Sequence, residues 1–452
     1  MNLSLSPDAN VNYLAKVVNI TEFTPHPNAD KLKIAHIGGY KVCVSTDTPE
    51  GKYIYFPVNC EINSDILSFC NLYRHSELNR DPNKSEFFNN NGRVSGIKLR
   101  GIPSEGFLLP LDTLKNYLKE NFNLILDEPE DDLNFDTITH NGKSFWICRK
   151  YVVTKPVIRK LGENKKEEKK KKKFTKVIDT QFRFHYQTMK IQEDMFAIRP
   201  GDRIQLTTKF HGTSHVSAYV LCNMKHTLKT RVLSLFGYCQ HPVKYDYLYS
   251  SKKVVKNDVT DSGPGFYDCD VWAEADKLIR PHLIKGMSVY AEIVGYLPNG
   301  SYIQPGYDYG CVPPGSDEYI YGKNFKVRIY RVTLTNVDGD VHEFSTQEVQ
   351  QWSRDNGLVP VTELYYGLAK DLYPDILVDD DWEINFWERL ANDKNFYMEC
   401  DSPDCINKVP HEGLVIKKDD MQSRAWKLKT FAFTNREQKE LDMGKTNIED
   451  EQ

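Results

Sequence analysis

What this sequence lacks narrows the field first. It has no Cys-x-x-Cys pair, and its ten cysteines, from Cys43 to Cys405, are scattered through 452 residues. A chain that long builds a core without disulfide staples, so reduced thiols and an intracellular setting, cytoplasmic or nuclear, are expected. Cys400, Cys405 and His411 make a poor zinc site, being three ligands at irregular spacing with no fourth nearby. Residues 1–7 show no basic stretch leading into an apolar one, so no signal peptide is expected. No apolar run approaches membrane-spanning length, and no membrane helix is expected. Internal repeats are not visible, which argues against a solenoid. Positive charge is not in excess either: 59 Lys and Arg face 63 Asp and Glu, a net charge of -4. Overall charge therefore cannot draw in a polyanion, and any nucleic-acid surface must be a local patch.

What is present reads as two domains. Hydrophobic residues make up 40% and charged residues 27%, the balance of a soluble globular chain. Residues 13–126 are β-rich, with apolar runs at 14–18, 40–44 and 53–58 separated by Pro, Gly, Asn and Asp clusters. Strands at that spacing predict a small barrel. Inside it, Pro-His-Pro-Asn-Ala-Asp-Lys-Leu at 25–32 resembles a loop of the tRNA-binding OB domain in the beta subunit of phenylalanyl-tRNA synthetase. Its own residues read as a structural turn, Pro fixing the backbone and Asn and Asp closing it. Lys98 and Arg100 stand two apart on a predicted strand, so they should share a face that a nucleic acid can use. Residues 159–176, built around five consecutive lysines at 169–173, cannot bury apolar area and read as a basic linker. The expected domains are thus 1–158, the linker 159–176, and 177–452.

The second domain carries the chemistry. Lys209 sits between a β-prone run at 203–206 and Gly212, a place where a rigid strand end can present an amine to a phosphate. Glu292 lies alone within the apolar strand-like run 288–296. A buried carboxylate must find a cation, a hydroxyl or backbone donors. Tyr330 lies in another strand-like run, at 326–334, and Glu412-Gly413 precedes a third, at 414–417. Lys427 and Lys429 share one face of a last strand. A neutral Lys209 amine is a nucleophile suited to phosphorus, and carboxylates such as Glu292 and Glu412 are hard oxygen ligands for Mg²⁺ or Mn²⁺.

Taken in order, these segments resemble motifs I, III, IIIa, IV and V of the nucleotidyltransferases, the superfamily of ATP-dependent ligases and mRNA capping enzymes. Lys252, after Ser250 and Ser251, falls at motif Ia, where relatives carry arginine. Lys209-Phe210-His211-Gly212-Thr213 is similar to the RNA ligase 2 group, with His211 where DNA ligases and capping enzymes have aspartate. A barrel ahead of this domain, with none expected after it, looks like the Deinococcus-type RNA ligases. So do Phe184-His185-Tyr186 and the tail at 431–437. The resemblance implies an α+β protein: an N-terminal OB-fold β-barrel followed by a nucleotidyltransferase domain of antiparallel sheets flanked by helices. It further implies an ATP-dependent RNA ligase that seals 3′-OH/5′-phosphate nicks in RNA or RNA/DNA duplexes through a lysyl-AMP. Lys209 is then the nucleophile, and Lys427 and Lys429 act at the phosphates. His211, Gly212, Glu292, Tyr330 and Glu412 line the nucleotide site, with Glu292 and Glu412 at the metal and Lys252, Lys98 and Arg100 on nucleic acid. A monomer with no obligate protein partner and no membrane association is expected. The alternatives are a capping-type guanylyltransferase and a non-catalytic OB-fold RNA-binding protein.

Overall fold

The structure is a computed structural model that describes residues 2–153, 174–225, 242–258, 267, 269–315, 318–396, 399, 401–420 and 424–445. Residues 159–173 of the expected linker, and Cys400, lie outside the described residues. The chain divides into two compact units. One comprises Met1–Thr154, Met189–Ala197 and Thr434–Lys445; the other comprises Lys155–Thr188, Ile198–Phe433 and Thr446–Gln452.

The first unit is built on short antiparallel strands: β1 (Ala15–Ile20), β2 (Leu32–Ile37), β3 (Tyr40–Ser45), β4 (Gly51–Phe56) and β5 (Phe107–Pro110), which runs into helix α1 (Leu111–Phe122). β4 lies between β5 and β1. Alternation splits β1 and β4 between two cores. Ala15, Val17, Ile54 and Phe56 pack with Leu114 and Leu118 of α1, whereas Val18, Ile20, Tyr53 and Tyr55 pack with the β2–β3 hairpin. Helix α1 buries the stripe Leu111, Leu114, Tyr117 and Leu118 and stops at Asn123 in a left-handed conformation (φ 53°).

One expectation here needs correcting. Ile97–Leu99 pairs with Ile102–Ser104 as a tight hairpin, and its turn consists of Arg100 (φ 45°) and Gly101 (φ 94°). Two consecutive positive φ values are what a two-residue hairpin turn requires. Arg100 is therefore a turn residue and does not share a strand face with Lys98, although both side chains are exposed. The loop at 25–32 is fastened to this hairpin. The buried His26 ring bonds Leu99 O at 3.1 Å, and Asn28 Nδ2 donates to Arg100 O at 3.0 Å.

The second unit holds two antiparallel sheets. One contains β6 (Arg203–Thr208), while β7 (Thr213–Asn223) and β8 (Val243–Ser250) belong to the other, ahead of helix α2 (Val271–Ile279). Then come β9 (Met287–Gly295), β10 (Phe325–Thr335), β11 (Val341–Glu343), helix α3 (Thr346–Asp355), β12 (Glu363–Leu368), β13 (Gly413–Lys418) and β14 (Arg424–Lys429). The first sheet has the neighbours β14-β13-β6-β12, the second β8-β7-β9-β10-β11. Helix α2 starts where Asp270 caps Ala273 N–H at 2.9 Å, and α3 where Ser345 and Glu348 form a capping box. Val289, Ala291 and Ile293 of β9 pack with Trp272, Ala275 and Ile279 of α2. Period-two alternation therefore turns Tyr290, Glu292 and Val294 to the opposite face. Among the described residues no helix is long and apolar enough to cross a membrane. The architecture is mixed α and β, mostly sheet with few helices.

Candidate active site

Lys209 leaves the end of β6, and its backbone N–H donates to Gly413 O at 2.9 Å, so the start of β13 lies beside it. That contact brings in the neighbouring Glu412, whose carboxylate is 1% exposed. Lys209 Nζ is 2.7 Å from Glu412 Oε1, and Lys429 Nζ is 3.7 Å from the same oxygen. His211 Nδ1 stands 3.8 Å from Glu412 Oε2. A single buried carboxylate thus gathers two lysines and a histidine from two chain segments. Lys427 lies two residues before Lys429 on β14, paired with Val415 of β13, on the same face.

The two glycines serve strand packing. A Cβ on Gly212 would meet Ile293 O at 2.3 Å, and one on Gly413 (φ 135°) would meet Leu428 O at 1.8 Å. A missing Cβ lets backbone come close, and at Gly212 the structure shows that close approach to β9. That approach delivers Glu292. Its two oxygens accept from Gly212 N–H (3.1 Å) and the Ser214 hydroxyl (3.3 Å), the donors that its position in an apolar strand demands.

Tyr330 owes its orientation to an irregularity. The pairing of β9 with β10 shifts between Tyr290 and Ala291, whose partners are Arg331 and Ile329, so Tyr330 is the extra residue of a bulge. Its hydroxyl is buried without a hydrogen-bond partner. Burial first, and then the Glu292 carboxylate, pushes that phenol well above its ordinary range. Its backbone oxygen accepts from Lys417 Nζ, an amine that burial lowers to about 8. The His185 ring meets the Tyr330 ring edge-on at 5.4 Å.

Several residues that shape the site carry no sequence signature. Tyr309 OH accepts from His211 N–H at 2.9 Å and donates to His211 O at 3.0 Å. Gln304 Nε2 donates to Gly212 O at 2.6 Å, and Tyr307 OH donates to Pro410 O at 2.8 Å. One loop between β9 and β10 therefore clamps both the Lys209 segment and the Glu412 segment. The His211 ring is held edge-on by Tyr307 (4.8 Å) and Phe433 (4.9 Å). Thr430 Oγ1 donates to His411 O at 2.6 Å and accepts from Phe433 N–H, which ties the end of β14 to the residue before Glu412. A dense run of tyrosines at 302–309 was the one available hint.

The structure therefore gathers Lys209, His211, Gly212, Glu292, Tyr330, Glu412 and Lys429, with Lys427 on the adjoining strand position. Lys252 lies in the bend after the edge strand β8, and Lys98 and Arg100 belong to the first unit.

No protein-family model matches the chain, and no curated protein matches its sequence. Solved structures do match it, and they share its fold. A variant of Naegleria gruberi RNA ligase with ATP and manganese aligns with a TM-score of 0.51 at 15% identity, covering 94% of this chain and 99% of that one. A ligand-free variant of the same enzyme gives 0.52 at 14% identity over 95% and 99%.

Proposed function

We propose that the chain is an ATP-dependent RNA ligase that seals 3′-OH/5′-phosphate nicks in RNA or RNA/DNA duplexes, working in an intracellular compartment. The observation that carries this reading is the Lys209–Glu412–Lys429 cluster at the meeting of β6, β13 and β14, set in an RNA-ligase fold. Lys209 Nζ attacks the α-phosphorus of ATP; the N–P bond forms as the bond to pyrophosphate breaks, and the amine gives up a proton. The attacking nitrogen must be the free amine, so its ion pair with Glu412 has to open first. A 5′-phosphate oxygen then displaces the lysine from the adenylate. Last, the 3′-hydroxyl attacks that 5′-phosphorus and AMP leaves.

Lys429 and Lys427 place positive charge where the phosphate gains negative charge. Tyr330, its hydroxyl orphaned beside Glu292, offers a ring to adenine and an OH to a polar partner. The neighbouring ligase was solved with ATP and manganese, and the donors here fit such an ion. Mg²⁺ and Mn²⁺ take one or two carboxylates together with substrate phosphates. Glu292 and Glu412 would be those carboxylates, and among the described residues no cluster of three or more His, Cys, Asp or Glu stands ready for a metal. The ion would supply charge neutralisation at the phosphates. Domain 1–158 is read as an OB-fold that grips RNA, with 159–176 as its basic linker and 177–452 as the catalytic domain.

Incubation with α-labelled ATP and manganese followed by denaturing electrophoresis tests the chemistry. Wild type should carry a label and Lys209→Ala none; labelling by GTP in place of ATP would identify a capping-type enzyme. No label from either nucleotide would leave an RNA-binding protein.

A further inference from the structure

A cavity of about 270 Å³ opens within the first unit, lined by strands β1 to β4, the amino-terminal segment, and Met189, Gln192 and Glu193. It takes no part in the chemistry above. Its walls are mostly apolar, and Leu5, Val11 and Met189 leave exposed apolar surface at its margin. One wall is a tyrosine pair, Tyr40 and Tyr55, with ring centroids 5.6 Å apart and planes 30° from parallel. Gln192 lines the cavity at 7% exposure, and its Oε1 is buried without a hydrogen-bond partner. The backbone of Gln192 is fixed, because its carbonyl accepts from Gly39 N–H at 2.8 Å. The Lys190 ammonium lies 5.6 Å from the Tyr13 ring and 5.5 Å from the Tyr40 ring, and Lys16 also lines the cavity.

We infer that this cavity is a subsite for one unstacked nucleobase of an RNA strand. It sits near the small end of ligand pockets, roughly 300 Å³, which suits a single heterocycle rather than a folded chain. A tyrosine face stacks any base, and a carboxamide with a free acceptor meets a base edge. Lys190, together with Lys16, which also pairs with Asp132 at 2.8 Å, brings positive charge for the phosphodiester that follows a base into its pocket, while the one carboxylate in the lining, Glu193, accepts the Tyr40 hydroxyl at 3.1 Å. A lipid chain would have no use for the carboxamide or the cations. The assignment rests on the RNA-ligase reading for its ligand but not for its geometry.

The test is binding of a short single-stranded RNA carrying one 2-aminopurine, set against the same RNA with an abasic residue at that position. On the full-length wild-type protein the 2-aminopurine fluorescence is quenched, and the abasic RNA binds about tenfold more weakly, the value of one base stacked on an aromatic ring. Gln192→Leu weakens the intact RNA, and Leu14→Trp, which fills the cavity, removes the quench. Equal affinity for intact and abasic RNA at every position tried overturns the proposal. So does a quench that survives in Leu14→Trp with an unchanged melting temperature. Should the tryptophan variant fail to fold, the abasic comparison on wild type still decides. ATP labelling of wild-type Lys209 is scored separately: base binding without labelling sinks the ligase reading and leaves the subsite standing.

Discussion

Tyr309→Phe separates position from chemistry at this site. The substitution keeps the ring and deletes only a hydroxyl that serves both the N–H and the C=O of His211, two residues beyond Lys209. Tyr309 is 5% exposed, so water does not reach freely to replace it. Leaving a buried polar group unpaired costs about 1–3 kcal/mol, and two such groups make roughly 2–4 kcal/mol after partial relaxation. For a domain of this size each kcal/mol lowers the melting temperature by about 2–4 °C, so calorimetry should show a drop of roughly 5–10 °C. The catalytic expectation is separate. A nucleophile displaced by even a fraction of an ångström loses its in-line approach, so lysyl-AMP formation at saturating ATP should slow by at least about tenfold. The KM for ATP should move less. Tyr307→Phe is the matched control, because it loses one bond, to Pro410 O, and should cost about half as much in stability. A Tyr309→Phe protein that melts early yet labels at the wild-type rate refutes the claim that this hydroxyl positions Lys209. An unchanged melting temperature refutes the energetic argument as well.

Other consequences can be checked by measurements of stability. Gly413→Ala places a Cβ 1.8 Å from Leu428 O on a backbone at φ 135°, so it should destabilise the protein by at least about 3 kcal/mol or abolish soluble expression; a wild-type melting curve would contradict the packing. Lys417 gives a pH signature. Burial lowers its amine to about 8, below the usual range of about 10.4 kept by the unfolded chain. Between those values the unfolded chain holds the proton that the folded one has released, so stability rises with pH from about 8 to about 10.4, by up to about 1.4 kcal/mol per unit. Chemical denaturation of Lys417→Met across that window should lack this rise relative to wild type, and parallel curves would count against a buried amine.

Apolar runs were enough to place several of the strands, β1, β3, β4, β6, β9, β10 and β13 among them, because a half-buried strand leaves a pattern that survives in the letters. It put Glu292 within β9, and the need of a buried carboxylate for donors anticipated its bonds to Gly212 and Ser214. It failed at Arg100, where nothing but the following glycine hinted that two positive φ values would turn a strand residue into a turn residue. It was blind to the bulge at Tyr330, since an extra residue in one strand is visible only against its partner's register. Tyr309 was hidden for a different reason. Its bonds to His211 span 98 residues of sequence, and a tyrosine in a loop carries no mark of the distant backbone it will hold.

The two glycines carry a packing constraint of their own. At 212 and 413 the side that lacks a Cβ faces a neighbouring carbonyl, from Ile293 in one case and Leu428 in the other. Each is where two motif-bearing segments press together. A larger residue would press the Gly212 segment off Glu292's strand, or the Gly413 segment off Lys429's, because its Cβ would lie 2.3 or 1.8 Å from a neighbouring carbonyl oxygen, and the 2.7 and 3.7 Å contacts of the Glu412 carboxylate with the two amines would stretch with it. Spacing between strands is therefore a constraint those positions impose. It follows that enlarging either glycine should damage folding and lysine labelling together, whereas a glycine kept open for ligand would have traded one for the other.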